Sequence, residues 1–368
     1  MTKAAELAKM GEVLTNSQIG GRRNIIINGA MQVAQRGTSS TSSGRLTLDR
    51  FEAIYSNFDN ATQTQSQDST APNGFKTSYK IAIGSTAESA IDADEQQYIR
   101  YKIEGQDLQQ LKYGTSDAES MTLSFYVRSS VTGTFSISFF LNDTTKNHVK
   151  TYTISSANTW ERKTITVSPN TSDVIDNDNG IGLSIHWFLT LGSNSLGSTE
   201  AVDTWIAHSN PNFGGNVNSD FASNANATFF LTGVQLEVGS QATPFEHRSF
   251  GEELALCQRY YYKLINDSDA DSFATGSNNT TTTSEHSIIF AQTMRANPTA
   301  IETTGTAGDY KISTGGSTTT CNAVPTFVRA SFHTAYFRSN VSSGLTIGDA
   351  SLLRAIGSDV YLAWSAEL

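Results

Sequence analysis

The sequence is short of charge and of cysteine, and it lacks long apolar runs and catalytic signatures. Charged residues fill only 16% of its 368 positions, well under the ~25% of an average globular chain. Acids outnumber bases 35 to 25, for a net charge of −10, which is the wrong sign for a nucleic-acid surface. The only two cysteines, Cys257 and Cys321, exclude a disulfide framework, and no Cys or His stands near them at zinc-site spacing. Both read as buried, reduced thiols. No run of about 18 apolar residues exists, so no membrane-spanning helix is expected. The first residues carry no apolar core of a secretory signal. There is no GxSxG elbow, no HExxH and no Walker loop. The six histidines (His148, His186, His208, His247, His286 and His333) are scattered over strand or strand-end positions without partners in sequence.

What is present points to β structure. Serine and threonine number 90, and these residues suit the wet face of strands. The 19 Phe, 13 Tyr and 4 Trp supply a core, so wholesale disorder is excluded. Over residues 25–247 the apolar period is two. Leu123, Phe125 and Val127 alternate with polar neighbours, and so do Phe135, Ile137, Phe139 and Leu141. Further strands are expected over 24–28, 49–55, 79–83, 97–103, 181–191 and 229–238. About ten strands separated by Gly, Ser, Asn and Asp turns imply a two-sheet antiparallel sandwich. No internal repeat is visible, which disfavours a propeller or solenoid.

The ends differ from this body. In residues 1–24, Leu7, Met10, Val13 and Leu14 share one helical stripe, and Gly20-Gly21 closes it. The segment carries a local net charge of +2. A helix so short is marginal alone, so its stripe is expected to pack on copies of itself or on another protein. At the other boundary, Ser249 and Glu252 fit a capping box. Phe250, Leu254, Cys257 and Tyr261 then predict one face of a helix over 250–262. Residues 266–283 read as a polar, acidic loop. Strand patterns return at 287–293, 327–337 and 360–364, so residues 248–368 form a smaller β-rich domain.

Candidate ligand-binding residues are few. Asp267, Asp269 and Asp271 occupy positions one, three and five of a calcium-type loop, but Ser272 replaces its Gly and Asn278 its Glu. A solvated acidic loop is the simpler reading. Trp187, Trp205, Tyr336 and Trp364 are candidate sugar platforms, since a pyranose stacks its apolar face on an aromatic ring. Each is also what an ordinary core would contain. Asp92, Asp94, Glu95 and Glu104 are carboxylates that a glycosidase could pair across the fold. Nothing in sequence pairs them.

One stretch narrows the choice. Asn24-Ile25-Ile26-Ile27-Asn28-Gly29-Ala30-Met31-Gln32-Val33-Ala34-Gln35-Arg36-Gly37, followed by Leu48-Asp49-Arg50-Phe51, resembles the opening of phage tail-fibre proteins of the marine and cyanophage type. The resemblance continues at Tyr101-Lys102-Ile103-Glu104-Gly105 and at Leu123-Ser124-Phe125-Tyr126-Val127-Arg128-Ser129-Ser130. It closes with Thr232-Gly233-Val234-Gln235-Leu236-Glu237-Val238-Gly239, Ala242-Thr243-Pro244-Phe245-Glu246 and Cys257-Gln258-Arg259-Tyr260-Tyr261.

The resemblance implies a virion protein assembled in the host bacterial cytoplasm. Its central module would be a jelly-roll sandwich like a carbohydrate-binding module. It further implies a homotrimer fixed to other tail proteins through residues 1–24, with the C-terminal domain, opened by a short helix, as a tip facing host-surface glycan. No catalytic residue carries over, no cofactor is implied, and no nucleic acid or membrane insertion is expected. The 24-residue leader is shorter than the stem of many such fibres. A structural adaptor or decoration protein without receptor binding is therefore the alternative, and a fibre-borne depolymerase the third reading. On the tip, residues 266–283 and 309–321 are the expected contact loops, because loops on a rigid scaffold carry recognition.

Overall fold

A computed structural model describes Lys3 and residues 23–217, 219–268 and 271–368. The helical leader expected over 1–24 lies outside these residues, apart from Lys3, Arg23 and Asn24. The described chain is almost entirely antiparallel β structure in two compact units, one reaching Phe250 and the other spanning Gly251–Glu367.

The first unit is a jelly-roll sandwich of two six-stranded sheets. One sheet runs β1 (Ser39–Ser40), β3 (Gln63–Asp68), β4 (Ser78–Ile83), β12 (Thr228–Val238), β6 (Met121–Ser129) and β9 (Glu161–Val167). The other runs β11 (Ile206–Ala207), β8 (Lys146–Ile154), β7 (Gly133–Leu141), β10 (Ile181–Leu191), β5 (Gln96–Glu104) and β2 (Phe51–Ser56). Alternation decides which residues face inward. Leu123, Phe125 and Val127 from one sheet meet Ile99, Phe139 and Trp187 from the other in a single core. Phe125 and Trp187 stand edge to face at 6.1 Å.

Two elements depart from the expected pattern. Residues 24–28 are not a strand. The Ile25 amide donates to the Leu236 carbonyl at 3.0 Å, and side chains supply most of the other partners that a ladder would give. The Asn24 Oδ1 accepts from the Ile26 and Leu236 amides at 3.0 and 3.1 Å, and the Ile27 amide donates to the Tyr101 hydroxyl at 2.7 Å. Conversely, β3 has no apolar residue to announce it, yet its Gln63 and Gln65 point inward at 4% and 0% exposure.

Gln65 is tolerated there because it is fully bonded. Its amide donates to the carbonyls of Ser42 and Gly44 at 2.7 and 3.0 Å. Its Oε1 accepts from Thr47 and Tyr79 at 2.9 and 2.8 Å. Gln65→Leu orphans the buried hydroxyls of Thr47 and Tyr79, and each orphaned group costs about 1–3 kcal/mol. The expected loss is about 3 kcal/mol in denaturant unfolding, and a change under ~1 kcal/mol would contradict this account.

The second unit opens with α1 (Phe250–Gln258), which starts where the capping pattern placed it but ends four residues early. Tyr260, Tyr261 and Tyr262 favour extended chain, and Tyr261 leads β13 (Tyr261–Ile265) instead of closing the helix face. Phe250 is 56% exposed while Cys257 is fully buried, so the expected stripe holds at only one of these positions. Both cysteines are buried, and burial pushes the Cys321 thiol up to about 12.

A three-stranded sheet orders β13, β22 (Tyr361–Ser365) and β16 (Glu302–Thr303). A seven-stranded sheet orders β18 (Ser317–Thr320), β17 (Tyr310–Thr314), β21 (Ala350–Ala355), β14 (Ser272–Asn278), β15 (Thr283–Ile289), β20 (Thr334–Asn340) and β19 (Thr326–Ala330). Trp364 and Leu362 of the first pack with Phe337, Leu353 and Ile312 of the second.

Both expected tip loops are corrected here. Residues 266–283 contain β14, the middle strand of the larger sheet, and 309–321 form the β17–β18 hairpin. The first carries no strand signal in sequence because its inward positions are Ala274, Gly276 and Asn278, too small or too polar to mark a core. The expected strand over 327–337 is two strands joined by a turn, and that over 287–293 lies instead at Thr283–Ile289. No helix among the described residues is long and apolar enough to cross a membrane.

Candidate functional site

The wet face of an antiparallel sheet is ordinarily polar. On the sheet containing β5 and β10, the outward positions break that rule. Ile99, Tyr101 and Ile103 of β5 point into the core, which sends Tyr98, Arg100 and Lys102 outward. On β10 the same alternation sends Ser184, His186 and Phe188 outward. Register then sets Phe188 beside Tyr98, His186 beside Arg100 and Ser184 beside Lys102. Phe140 of β7 stands opposite Ser184 on the other side, and Glu52 of β2 pairs with Arg100.

A loop after β11 completes the site. A capping box at Ser209 and Asn212 shapes it, and Asn147 anchors it by donating to the Asn212 carbonyl at 2.8 Å. It brings His208 and Phe213 over the sheet. Phe213 lies edge-on to Phe188 at 4.7 Å and to His186 at 5.1 Å. Phe140 stands edge-on to His208 at 5.1 Å.

Between these groups runs a cleft of ≈ 250 Å³ whose lining includes Tyr98, Arg100, Lys102, Phe140, His186 and Phe213. Phe140 and Phe213 are half-buried, so part of each ring meets solvent, whereas Tyr98 and His186 form the floor. Arg100 is fixed by Glu52, with Nε and Nη2 donating to one carboxylate oxygen at 3.0 and 2.8 Å. The Ser184 hydroxyl donates to the Asn142 Oδ1 at 2.8 Å. Burial holds His186 well below its usual 6.5, and the charges of Arg100 and Lys102 push the same way. Burial also lowers His208, so both rings are neutral at pH 7. The lining contains no Asp or Glu. The arrangement offers aromatic surface flanked by fixed donors and no acid–base pair.

None of the four aromatics singled out in sequence lines this cleft. Trp187 and Trp364 are fully buried in the cores of their units, where no ring face is open. Trp205 is half-buried, edge-on to His148 at 5.0 Å, and its Nε1 donates to the Ser168 carbonyl at 2.9 Å. Tyr336 lies on the outer face of the seven-stranded sheet, with its hydroxyl on Glu285 and the Arg329 guanidinium 4.7 Å over its ring.

Asp271 of the acidic loop accepts from the Ser268 hydroxyl at 2.9 Å and from the Asp267 and Ser268 amides at 3.2 Å. Asp269 lies outside the described residues. No group of three His, Cys, Asp or Glu side chains that could hold a metal occurs among those described.

No protein-family model matches the sequence, and no curated protein does. Solved structures resemble the chain in fold over about three fifths of its length. One is the enzymatically active domain of tailspike protein 4 of bacteriophage CBA120, with TM-score 0.31 and 11% identity over 58% of this chain. The match spans 21% of the tailspike chain. Another is a family 11 carbohydrate-binding module of Clostridium thermocellum, at TM-score 0.27 and 11% identity over 57% of this chain and 98% of the module. A third is a "putative sugar binding protein" from Bacteroides thetaiotaomicron, at TM-score 0.32 and 9% identity over 59% of this chain and all of the other.

Proposed function

We propose that this chain is a virion fibre protein that binds host-surface glycan through the aromatic cleft on the outer face of the β5–β10 sheet. The observation that carries the reading is the placement of Tyr98, His186, Phe140 and Phe213 on a face that would otherwise be polar. Half-exposed rings beside a fixed guanidinium suit a pyranose, whose apolar face stacks while its hydroxyls take hydrogen bonds. Absence of carboxylates from the lining favours binding over hydrolysis, which needs two of them about 5–9.5 Å apart.

The virion part of the reading rests on the resemblance of residues 24–262 to phage tail fibres. In that arrangement residues 1–24 attach the chain to other tail proteins, and the chain acts as a homotrimer. Several copies on one particle let weak individual sites hold a cell.

Phe213→Ala and Arg100→Gln change residues that are not in the sandwich core. Each is expected to weaken binding to immobilised host polysaccharide at least tenfold, while the unfolding temperature moves by no more than a few degrees. Undiminished binding by both variants would remove the cleft from the reading. Failure of the unaltered protein to bind any host polysaccharide would favour a structural adaptor. Release of reducing ends would favour a depolymerase.

A further inference from the structure

The seven-stranded sheet of the second unit carries a separate groove. Strands β17 and β18 join through Gly315-Gly316, both at positive φ (+47° and +95°), the two-residue turn that matches strand twist. Beside this hairpin lies a groove of ≈ 530 Å³, within the range of small-ligand pockets. Thr275, Ser313, Thr318, Leu352 and Arg354 contribute to its walls. Hydroxyls dominate the lining, and no Asp or Glu belongs to it.

Arg354 is the anomaly. Its guanidinium makes no hydrogen bond or ion pair among the described residues, and its Nε is buried without a partner. Other arginines on outer sheet faces are engaged: Arg338 holds Glu285 at 2.8 Å and Arg100 holds Glu52 at 2.8 Å. Lys311 sits directly across the β17–β21 ladder from Arg354, and like charges in that position repel. Asp271, whose carbonyl accepts from the Ala355 amide beside Arg354, has its carboxylate tied to Ser268. A half-buried guanidinium without an acceptor calls for one from outside.

We propose that this groove binds a uronic acid unit of a polysaccharide, with its carboxylate on Arg354 and its hydroxyls on Ser313, Thr318 and Thr275. A guanidinium presents a planar fork that matches a carboxylate, and the surrounding hydroxyls can both donate to and accept from a sugar. The site is distinct from the aromatic cleft, so Phe213→Ala should leave it intact.

The test is calorimetric titration of the full chain with oligogalacturonate, alginate oligosaccharides and hyaluronate oligosaccharides. Fully methyl-esterified oligogalacturonate and inorganic phosphate serve as comparisons. At least one uronate is expected to bind at least tenfold tighter than the neutral ester. Arg354→Gln should abolish that preference, and Thr318→Val should weaken binding about threefold. Binding of none of the three uronates overturns the proposal, as does equal binding of ester and acid, or wild-type affinity in Arg354→Gln. Binding of phosphate alone would make the groove a simple anion pocket and also overturn it.

Discussion

Gly29→Ala is expected to destabilise the sandwich by about 3 kcal/mol or more, whereas Gly37→Ala, eight residues on, should be close to neutral. The difference is geometric. A Cβ at Gly29 would lie 2.1 Å from the Val234 carbonyl oxygen, which is backbone and cannot swing away. At Gly37 the nearest atom is 3.6 Å distant, an ordinary contact.

Val234 is there because β12 has a bulge between Thr232 and Gln235, with Gly233 at φ +60°. A bulge takes backbone groups out of the ladder. Residues 24–29 collect them: Asn24 Nδ2 donates to the Val234 carbonyl at 3.1 Å, and the Val234 amide donates to the Gly29 carbonyl at 2.9 Å. Pushing the segments apart loses these bonds as well as packing, and overpacking alone costs about 1–3 kcal/mol. For a unit of this size the midpoint should fall by roughly 6–12 °C. Equal midpoints for the two variants would refute the argument.

The same segment joins the two ends of the first unit. The Asn24 amide donates to Glu246 at 2.6 Å, the Glu246 amide to Gln235 at 2.7 Å, and Gln235 Nε2 to Glu237 at 2.8 Å. Residues more than 200 positions apart thus form one clasp. Sequence showed the motifs but not their meeting, because nothing in a string of residues signals that an asparagine side chain will replace a ladder.

Strands β10 and β12 were legible because long apolar runs bounded by turns have few alternatives. β3 and β14 were not, since their inward positions are Gln or small residues. The cleft was hidden for a related reason. Tyr98 and His186 sit inside strands whose other faces are apolar, and alternation alone does not say which strands become neighbours. Trp187, the most conspicuous residue of β10, faces the core. Only the register of β5, β7 and β10, plus a loop that supplies His208 and Phe213, reveals which face is wet and aromatic.

Acid should weaken both units well before the carboxylates titrate. His148, in the sandwich, and His286, in the second unit, are each almost fully inaccessible. Burial lowers each to about 4 from 6.5. For His148 the charge of Lys150 adds to the effect and Asp203 opposes it. His286 lies against Phe337 with neither ring nitrogen hydrogen-bonded.

A base whose folded pKa lies below its unfolded value favours the fold when neutral. The contribution is whole above pH 6.5, falls as pH drops from 6.5 towards 4, and is lost below that. At ~1.4 kcal/mol per pKa unit the full loss is about 3 kcal/mol for each histidine, and about 2 kcal/mol is gone by pH 5. Carboxylates held low, such as Glu285 beside Tyr336 and Arg338, act at lower pH, and Glu95 and Asp143, which burial raises, act in the opposite sense to the histidines.

Amide exchange from pH 7 to 4.5 reads the two units separately. Protection of β7, β8 and β10 should fall with His148 and His186, which burial lowers in the same sense, and protection of β14–β15 with His286. His286→Leu should flatten the second slope and leave the first unchanged. A wild-type protein equally protected at pH 7 and 4.5 would contradict the assignment. So would a His286→Leu variant that keeps the wild-type slope in β14–β15.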